Sequence, residues 1–239
     1  MRKAVSRCVL PGLLLSVVTA FVQMHPGYAR EEPASQSKER YGTVEGRVVT
    51  REGLPVANAT VYAFKLGGSP LASTNIEGKF ALTNLSAGKH VIIAYKESDG
   101  FPNLVWSFYS EVYGNDGKLV VSVEENQIVR DATIRLGPKA GRLLIRVIDA
   151  KTKLPIRDAS LALNHKRKPE TRFQPSATKM DGEFDTLIPP SLPINVVVKA
   201  PGYKTWRYVK GGSVDRDAIR LRTGSSKEMT VELKPASVG

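Results

Sequence analysis

Two stretches of this chain repeat the same short pattern at a distance of about a hundred residues. In both stretches a Leu-Pro turn precedes an alanine and an alternating strand: Pro55 lies four positions before Ala59, and Pro155 lies four positions before Ala159. A pattern repeated at this distance is typical of two copies of one structural unit. The repeat therefore predicts two domains of about 95 residues each, a length that can bury its own core.

Short alternating segments fill both copies. Val44 and Val48 open the first copy with a period of two, and Leu143, Ile145 and Val147 open the second in the same way. Turn residues separate such segments at intervals of about eight to twelve residues, and no sustained helical period occurs. We therefore expect an all-β protein built from antiparallel sandwiches.

The first residues have the pattern of a secretory signal peptide. A basic start is followed by an apolar run over 9–22 and by small residues at Gly27 and Ala29. An uncleaved membrane anchor is the alternative, but the run is short for a span, which favours cleavage. The short hinge at 137–139 predicts limited independent motion of the two domains. The predicted divisions are a signal peptide at 1–29, a disordered linker at 30–40, a first sandwich at 41–137, a second sandwich at 138–235 and a tail at 236–239.

Cysteine usage and charge restrict the classes of function. Cys8 is the only cysteine and lies in the signal segment, so the exported chain is expected to lack disulfides, thiol chemistry and thiolate metal sites. The net charge of +12 is compatible with an anionic polysaccharide, a lipid surface or nucleic acid as partner. Solubility is the simpler explanation of the charge, and we expect no nucleic-acid binding.

The motifs of both copies resemble those of the carboxypeptidase regulatory-like domain. The resemblance rests on Glu45-Gly-Arg-Val48, Gly53-Leu-Pro-Val-Ala-Asn-Ala59, Asn75-Ile-Glu-Gly-Lys-Phe80, Leu154-Pro155, Asp181-Gly-Glu-Phe184 and Pro201-Gly-Tyr203. It implies a transthyretin-like (prealbumin-like), seven-stranded Greek-key β-sandwich for each copy, similar to the starch-binding-like superfamily. The second copy departs from the pattern, with Lys153 in place of the turn glycine and Leu192-Pro193 in place of Ala87-Gly88. In metallocarboxypeptidases the zinc-bearing catalytic domain is a separate unit, and this chain has no room for it.

Catalytic patterns are missing from the exported sequence. A zinc site needs three or four converging ligands, whereas the chain beyond the signal segment has only His90 and His165 and no cysteine. It also contains no Gly-x-Ser-x-Gly elbow and no phosphate-binding loop. We therefore expect no enzyme activity, no bound metal and no cofactor.

Two Trp-x-aromatic motifs are the candidates for binding carbohydrate. Trp106 with Phe108, and Trp206 with Tyr208, would each place two rings on one face of a strand, and Tyr109 adjoins the first pair. Exposed flat rings can stack on sugars. The alternative is that these rings pack against the sandwiches, and their occurrence in both copies favours packing.

A basic loop in the second copy is the candidate for an anionic partner. It comprises Lys166, Arg167, Lys168 and the nearby Arg172. Charge at a hairpin tip is more often simply solvated, and this alternative is favoured. The sequence thus predicts an exported, non-catalytic scaffold, adhesion or interaction module that is secreted, periplasmic or at the cell surface. A carbohydrate-binding module is the alternative, the expected partners are polysaccharide or another envelope protein, and membrane contact is expected only through the signal segment.

Overall fold

The structure is a computed structural model that describes residues 41–64, 70–105, 109–173, 182–208 and 218–236, without the side chains of 169–173. The chain divides into the units Met1–Lys38 and Glu39–Gly239, and all of the described residues belong to the second unit. The predicted signal peptide, the predicted linker and the last three residues of the predicted tail lie outside the described residues.

Seven strands form the first copy. They are β1 (Gly42–Val49), β2 (Thr60–Ala63), β3 (Leu71–Ser73), β4 (Lys79–Leu85), β5 (Gly88–Tyr95), β6 (Lys118–Val123) and β7 (Ile128–Arg135). A 3-10 helix (Glu97–Asp99) and the single-turn helix α1 (Ser110–Tyr113) lie between β5 and β6. The strands form one sheet in the order β4-β1-β7 and a second in the order β3-β2-β5-β6.

The second copy reproduces this arrangement strand for strand. Its strands are β8 (Gly141–Asp149), β9 (Ser160–His165), β10 (Lys168–Phe173), β11 (Glu183–Ile188), β12 (Ile194–Lys199), β13 (Trp206–Arg207) and β14 (Ser226–Leu233). They form sheets in the orders β11-β8-β14 and β10-β9-β12-β13, which are the first-copy orders with seven added to each strand. The predicted all-β fold of β-sandwiches is therefore confirmed, with seven strands in each.

One feature of the sheets was not predicted. The first and last strands of each copy pair in parallel, β1 with β7 and β8 with β14, whereas the other strand pairs are antiparallel. The interpretation as purely antiparallel sandwiches was wrong on this point. The period-two pattern places Val44 and Val48 of β1, and Leu143 and Val147 of β8, in the two cores. That pattern is identical for both directions of pairing, so the sequence could not distinguish them.

The matched turns of the two copies share their backbone conformation. Gly78 and Gly182 both adopt a positive φ, +73° and +72°, just before β4 and β11. Their carbonyls accept hydrogen bonds from the amides of Val48 and Val147 at 2.8 and 2.9 Å. At the preceding turn Gly53 has φ +86°, and Lys153, which replaces the expected glycine, still has φ +62°. The second copy therefore has the same turn conformation although it lacks the glycine that favours a positive φ.

The connection between β5 and β6 is described over residues 96–105 and 109–117, and these two parts contact both sandwiches. We name the connection the interdomain arm. Leu104, Tyr109 and Tyr113 of the arm belong to the same buried cluster as Leu143, Ile188 and the rest of the second core. Phe101, at the base of the arm, belongs instead to the first core. The interdomain arm thus contributes side chains to both hydrophobic cores.

Polar contacts fix the interdomain arm at several points. The Tyr109 hydroxyl donates to the Leu187 carbonyl at 2.9 Å. The Arg142 guanidinium donates to the Glu97 carbonyl at 2.9 Å, and the Ala140 amide donates to the Gly100 carbonyl at 2.8 Å. The Leu187 carbonyl is buried and needs such a partner, and the three bonds together specify where the arm lies on the second sandwich.

Candidate interaction surfaces

The second Trp-x-aromatic motif lies against a core. Trp206 pairs with Val198 on β12, whose side chain is fully buried, so the Trp206 ring is on the inner side of the sheet. Trp206 and Tyr208 are half-buried against the second core and contact each other edge to face, with ring centroids 6.3 Å apart. Rings inclined at 64° do not form one flat platform.

The first motif is only partly described. Trp106 and Phe108 lie outside the described residues. Tyr109 is 4% exposed, and burial raises the pKa of its phenol above the ordinary value. The assignment of Tyr109 to an exposed sugar-binding surface was wrong, because its ring fills the second core and its hydroxyl donates to Leu187.

One lysine of the predicted basic patch pairs with a carboxylate of the interdomain arm. Lys168 at the start of β10 approaches Glu111 of α1, with Nζ 3.1 Å from Oε2. The hydrogen bond from Lys168 is the main cause that holds the pKa of Glu111 below its usual value. Arg167 is exposed and Lys166 is half-buried, and the side chain of Arg172 lies outside the described residues. Part of the patch therefore attaches the arm to the β9–β10 hairpin.

The described histidines serve local structure. His165 is buried, its Nδ1 accepts a hydrogen bond from the Arg167 amide at 3.2 Å, and its Nε2 is 3.8 Å from Glu111 Oε2. His90 Nε2 is 2.7 Å from the Ser86 carbonyl. Among the described residues, no three His, Cys, Asp or Glu side chains are grouped so as to hold a metal ion.

An apolar surface that the sequence analysis missed covers the outer side of the β3-β2-β5-β6 sheet. Four of its outward side chains are strongly exposed: Leu71 by 70%, Val120 by 55%, Phe64 by 49% and Val91 by 37%. The Phe64 amide donates to the Val91 carbonyl at 2.8 Å, and Val91 pairs with Val120, so these three side chains form a row across the sheet. Leu71 pairs with Tyr62 and lies in the adjoining row. We name this surface the apolar face.

The second copy has polar residues at two of the corresponding positions. Asn164 pairs with Asn195 where the first copy has Phe64 beside Val91. The same fold therefore forms with amides at these two positions. Aligning the two copies by their motifs would have revealed this contrast in the sequence alone.

A second outer surface, on the β11-β8-β14 sheet, has acidic character. Leu144 of β8 lies between Asp185 of β11 and Glu228 of β14, and the strand registers place all three on the outer side. A cleft of about 510 Å³ lies over these residues. Glu183, Glu232, Ile148 and the arginines Arg142 and Arg146 share the same side. We name this surface the acidic face.

The fold and these surfaces define an all-β protein of two β-sandwiches joined by an arm. No family model and no curated protein matches the chain. Solved structures similar to it include the Bacillus anthracis TIE protein, at 12% identity and TM-score 0.32, over 82% of this chain and 34% of that one. A Streptococcal ancillary pilin matches at 11% identity and TM-score 0.29, over 84% of this chain and 64% of that one. A double mutant of the shaft pilin SpaA from Lactobacillus rhamnosus GG matches at 10% identity and TM-score 0.35, over 83% and 98%.

These similarities are too distant to transfer a function. The chain spans about a third of the TIE protein and less than two thirds of the ancillary pilin. In the part of the chain that the structure describes, no helix is long and apolar enough to cross a membrane.

Proposed function

We propose that this protein is an exported, non-catalytic module of the cell envelope that acts as a scaffold or adhesion unit. We further propose that its two sandwiches are carboxypeptidase regulatory-like domains. The matched turns at Gly78 and Gly182, and the equivalent strand orders, support the family assignment.

The interdomain arm is the observation that carries the scaffold proposal. A scaffold has to hold its parts in a constant arrangement, and the arm attaches one sandwich to the core of the other. Ionisable side chains near the joint between the sandwiches make structural contacts: Glu111 and Lys168 pair across the joint, and His165 accepts a backbone hydrogen bond. The geometry thus supports a structural role for the polar side chains near the joint.

NMR relaxation of the purified protein tests the scaffold proposal. We expect one rotational correlation time for amides in both sandwiches, because the arm couples the two cores. In the variant Tyr109→Ala the two sandwiches should have different correlation times, because the arm no longer fills the second core. Leu154→Ala, at an exposed turn of the second sandwich, is the matched control and should leave a single correlation time. Independent tumbling of the sandwiches in the unmodified protein would contradict the proposal.

Location is tested separately. An antibody to the folded protein should label intact cells, or cells with a permeabilised outer layer, while a cytoplasmic marker stays unlabelled. A signal that appears only after full lysis would argue against an envelope protein.

Carbohydrate binding is a second candidate with less support, since Trp206 and Tyr208 pack on the core and Tyr109 is buried. A glycan panel titrated against tryptophan emission distinguishes it. We expect no saturable change with any glycan. A saturable change that Tyr208→Ala removes, without altering the melting temperature, would favour the carbohydrate-binding module.

A further inference from the structure

We propose that this protein associates head to tail with a second copy of itself, the apolar face of one chain packing on the acidic face of the next. The inference rests on the proposed scaffold function, because it names the partner that the scaffold binds. It depends on two surfaces of the same molecule that complement each other in polarity and in charge.

The apolar face has the properties of a surface that becomes covered. Exposed apolar side chains in a contiguous row mark interaction sites, whereas isolated ones are ordinary. The four strands β2, β3, β5 and β6 contain no acidic residue, and Lys89 and Lys118 point outward beside the row. Neither lysine has an ion pair among the described residues. An acidic partner surface with apolar groups would satisfy both features.

The acidic face offers these groups. Four carboxylates on its outer side face two guanidiniums and the Lys153 ammonium, which leaves an excess of one negative charge. Leu144 and Ile148 provide half-buried apolar groups between them. Three of the carboxylates already pair within the chain: Asp185 with Arg142 at 3.0 Å, Glu183 with Arg146 at 2.7 Å and Glu232 with Lys153 at 2.7 Å.

Glu228 differs from those three because it has no ion pair among the described residues. It flanks Leu144 and borders the cleft, which has room for a side chain such as Leu71 or Val120. Glu228 is therefore the carboxylate best placed to receive a lysine of another chain.

Charge also decides between the two ways in which copies could meet. If two apolar faces met symmetrically, Lys89 and Lys118 of both chains would lie at one interface with no carboxylate from any of the four strands. Packing the apolar face on the acidic face instead brings ammonium groups to Glu228. Such a contact uses different surfaces on the two partners, so association continues into rings or open chains.

The size of the faces sets the expected strength. The acidic face has three strands and the apolar face four, and interfaces smaller than about 1,200 Å² are typical of weak complexes. We therefore expect a dissociation constant of about 10–100 μM, with the association weakening as salt screens the lysine–glutamate contact.

Sedimentation velocity over a concentration series provides the test, with Lys118→Glu and Glu228→Lys as the variants. The unmodified protein should form a series of oligomers, and each variant alone should be monomeric. An equimolar mixture of the two should associate again, because every contact between the two variants then joins a lysine to a glutamate. The double variant Lys118→Glu/Glu228→Lys should associate again, since the charges are exchanged.

Two further variants make the test specific. Val120→Glu should abolish association by disrupting the apolar contact while Glu228 is unchanged. The control is Leu54→Glu, at an exposed leucine in the turn between β1 and β2 that belongs to neither face, and it should leave association intact. Thermal melts verify that every variant is folded. A monomeric unmodified protein at millimolar concentration would overturn the inference, as would dimers that Val120→Glu removes but Glu228→Lys does not. Either result would leave the scaffold proposal standing if both sandwiches still tumble as one body.

Discussion

The hydroxyl of Tyr109 donates a hydrogen bond to the carbonyl of Leu187 across 2.9 Å, which joins the arm of one sandwich to the sheet of the other. The neighbouring Tyr113 contacts the same core, and its ring lies edge to face with that of Tyr109 at a centroid distance of 5.8 Å. The Tyr113 hydroxyl, in contrast, is buried and has no hydrogen-bond partner in the described structure. The two phenols thus have opposite energetic roles.

Replacing each phenol by phenylalanine tests this difference. Tyr109→Phe should lower the free energy of unfolding by about 1–2 kcal/mol, because the buried Leu187 carbonyl loses its shorter side-chain hydrogen bond and keeps only the one from the Thr186 hydroxyl at 3.5 Å. Tyr113→Phe should be neutral or stabilising, since it removes a buried hydroxyl that makes no hydrogen bond. Urea unfolding at neutral pH measures both. Equal losses in the two variants would contradict the assignment of the bond to Tyr109 alone.

Lys153→Gly should stabilise the protein. A non-glycine residue in the left-handed region costs about 1–2 kcal/mol, which glycine avoids. Part of this gain is offset because glycine loses more conformational entropy on folding. The exposed ion pair with Glu232 contributes well under about 1 kcal/mol, so its loss does not reverse the sign. We expect a gain of about 0.5–1 kcal/mol. Lys153→Ala is the control, because it removes the ion pair and keeps the strain; a gain equal to that of glycine would refute the explanation.

Replacing the glycines at positive φ by alanine should lower the free energy of unfolding by different amounts. At Gly53 an added Cβ meets no atom within 4 Å, so Gly53→Ala should cost about 1 kcal/mol through backbone strain alone. At Gly78 the same Cβ would lie 2.6 Å from the Val48 carbonyl oxygen, and Gly78→Ala should cost about 2–3 kcal/mol. Chemical denaturation measures both losses. Indistinguishable values would show that the close approach at Gly78 relaxes without cost.

Acid should weaken the second sandwich through Asp149. The amide of Thr152, the hydroxyl of Tyr203 and the amide of Lys151 donate to its carboxylate and hold the pKa of Asp149 below its usual value. The folded-state pKa is lower than the unfolded value of about 3.9. The stabilisation that the ionised Asp149 contributes is therefore complete at pH values above about 3.9. It is lost as the pH falls through the folded-state pKa.

The variant Tyr203→Phe removes one donor, so the folded-state pKa of Asp149 should move closer to its usual value. Unfolding free energies measured between pH 7 and pH 2 should then fall less steeply for the variant than for the unmodified protein. Parallel curves would mean that the Tyr203 hydroxyl does not favour the ionised carboxylate.

Features that depend on turn residues and on short alternating segments were predictable from the sequence. Gly78, Gly182 and the Leu-Pro turns mark strand ends through backbone preferences that act over a few residues. The alternation of Val44 and Val48 predicted a half-buried strand for the same reason. The fold class follows from such signals together with the repeat.

The interdomain arm and the apolar face could not be found in this way. Nothing local distinguishes Tyr109, which is buried in the other sandwich, from an aromatic residue on the surface, because its contact with Leu187 spans 78 positions. Strand β5 is almost continuously apolar, so its pattern does not tell which side is covered. Both features depend on long-range packing. For the apolar face the sequence offers only the contrast between Phe64 and Asn164 in the aligned copies, and the exposure of Phe64 is known only from the structure.

The position of the arm in the chain has a consequence for biosynthesis. Residues 96–117 leave the ribosome before β8 begins, so the earlier sandwich can present Leu104, Tyr109 and Tyr113 while the later one is still being made. We expect a gene fragment that encodes only the later half to yield an insoluble product, whereas the earlier half alone remains soluble. The two halves would then differ in how they fold, because the second half needs the arm of the first half to complete its core.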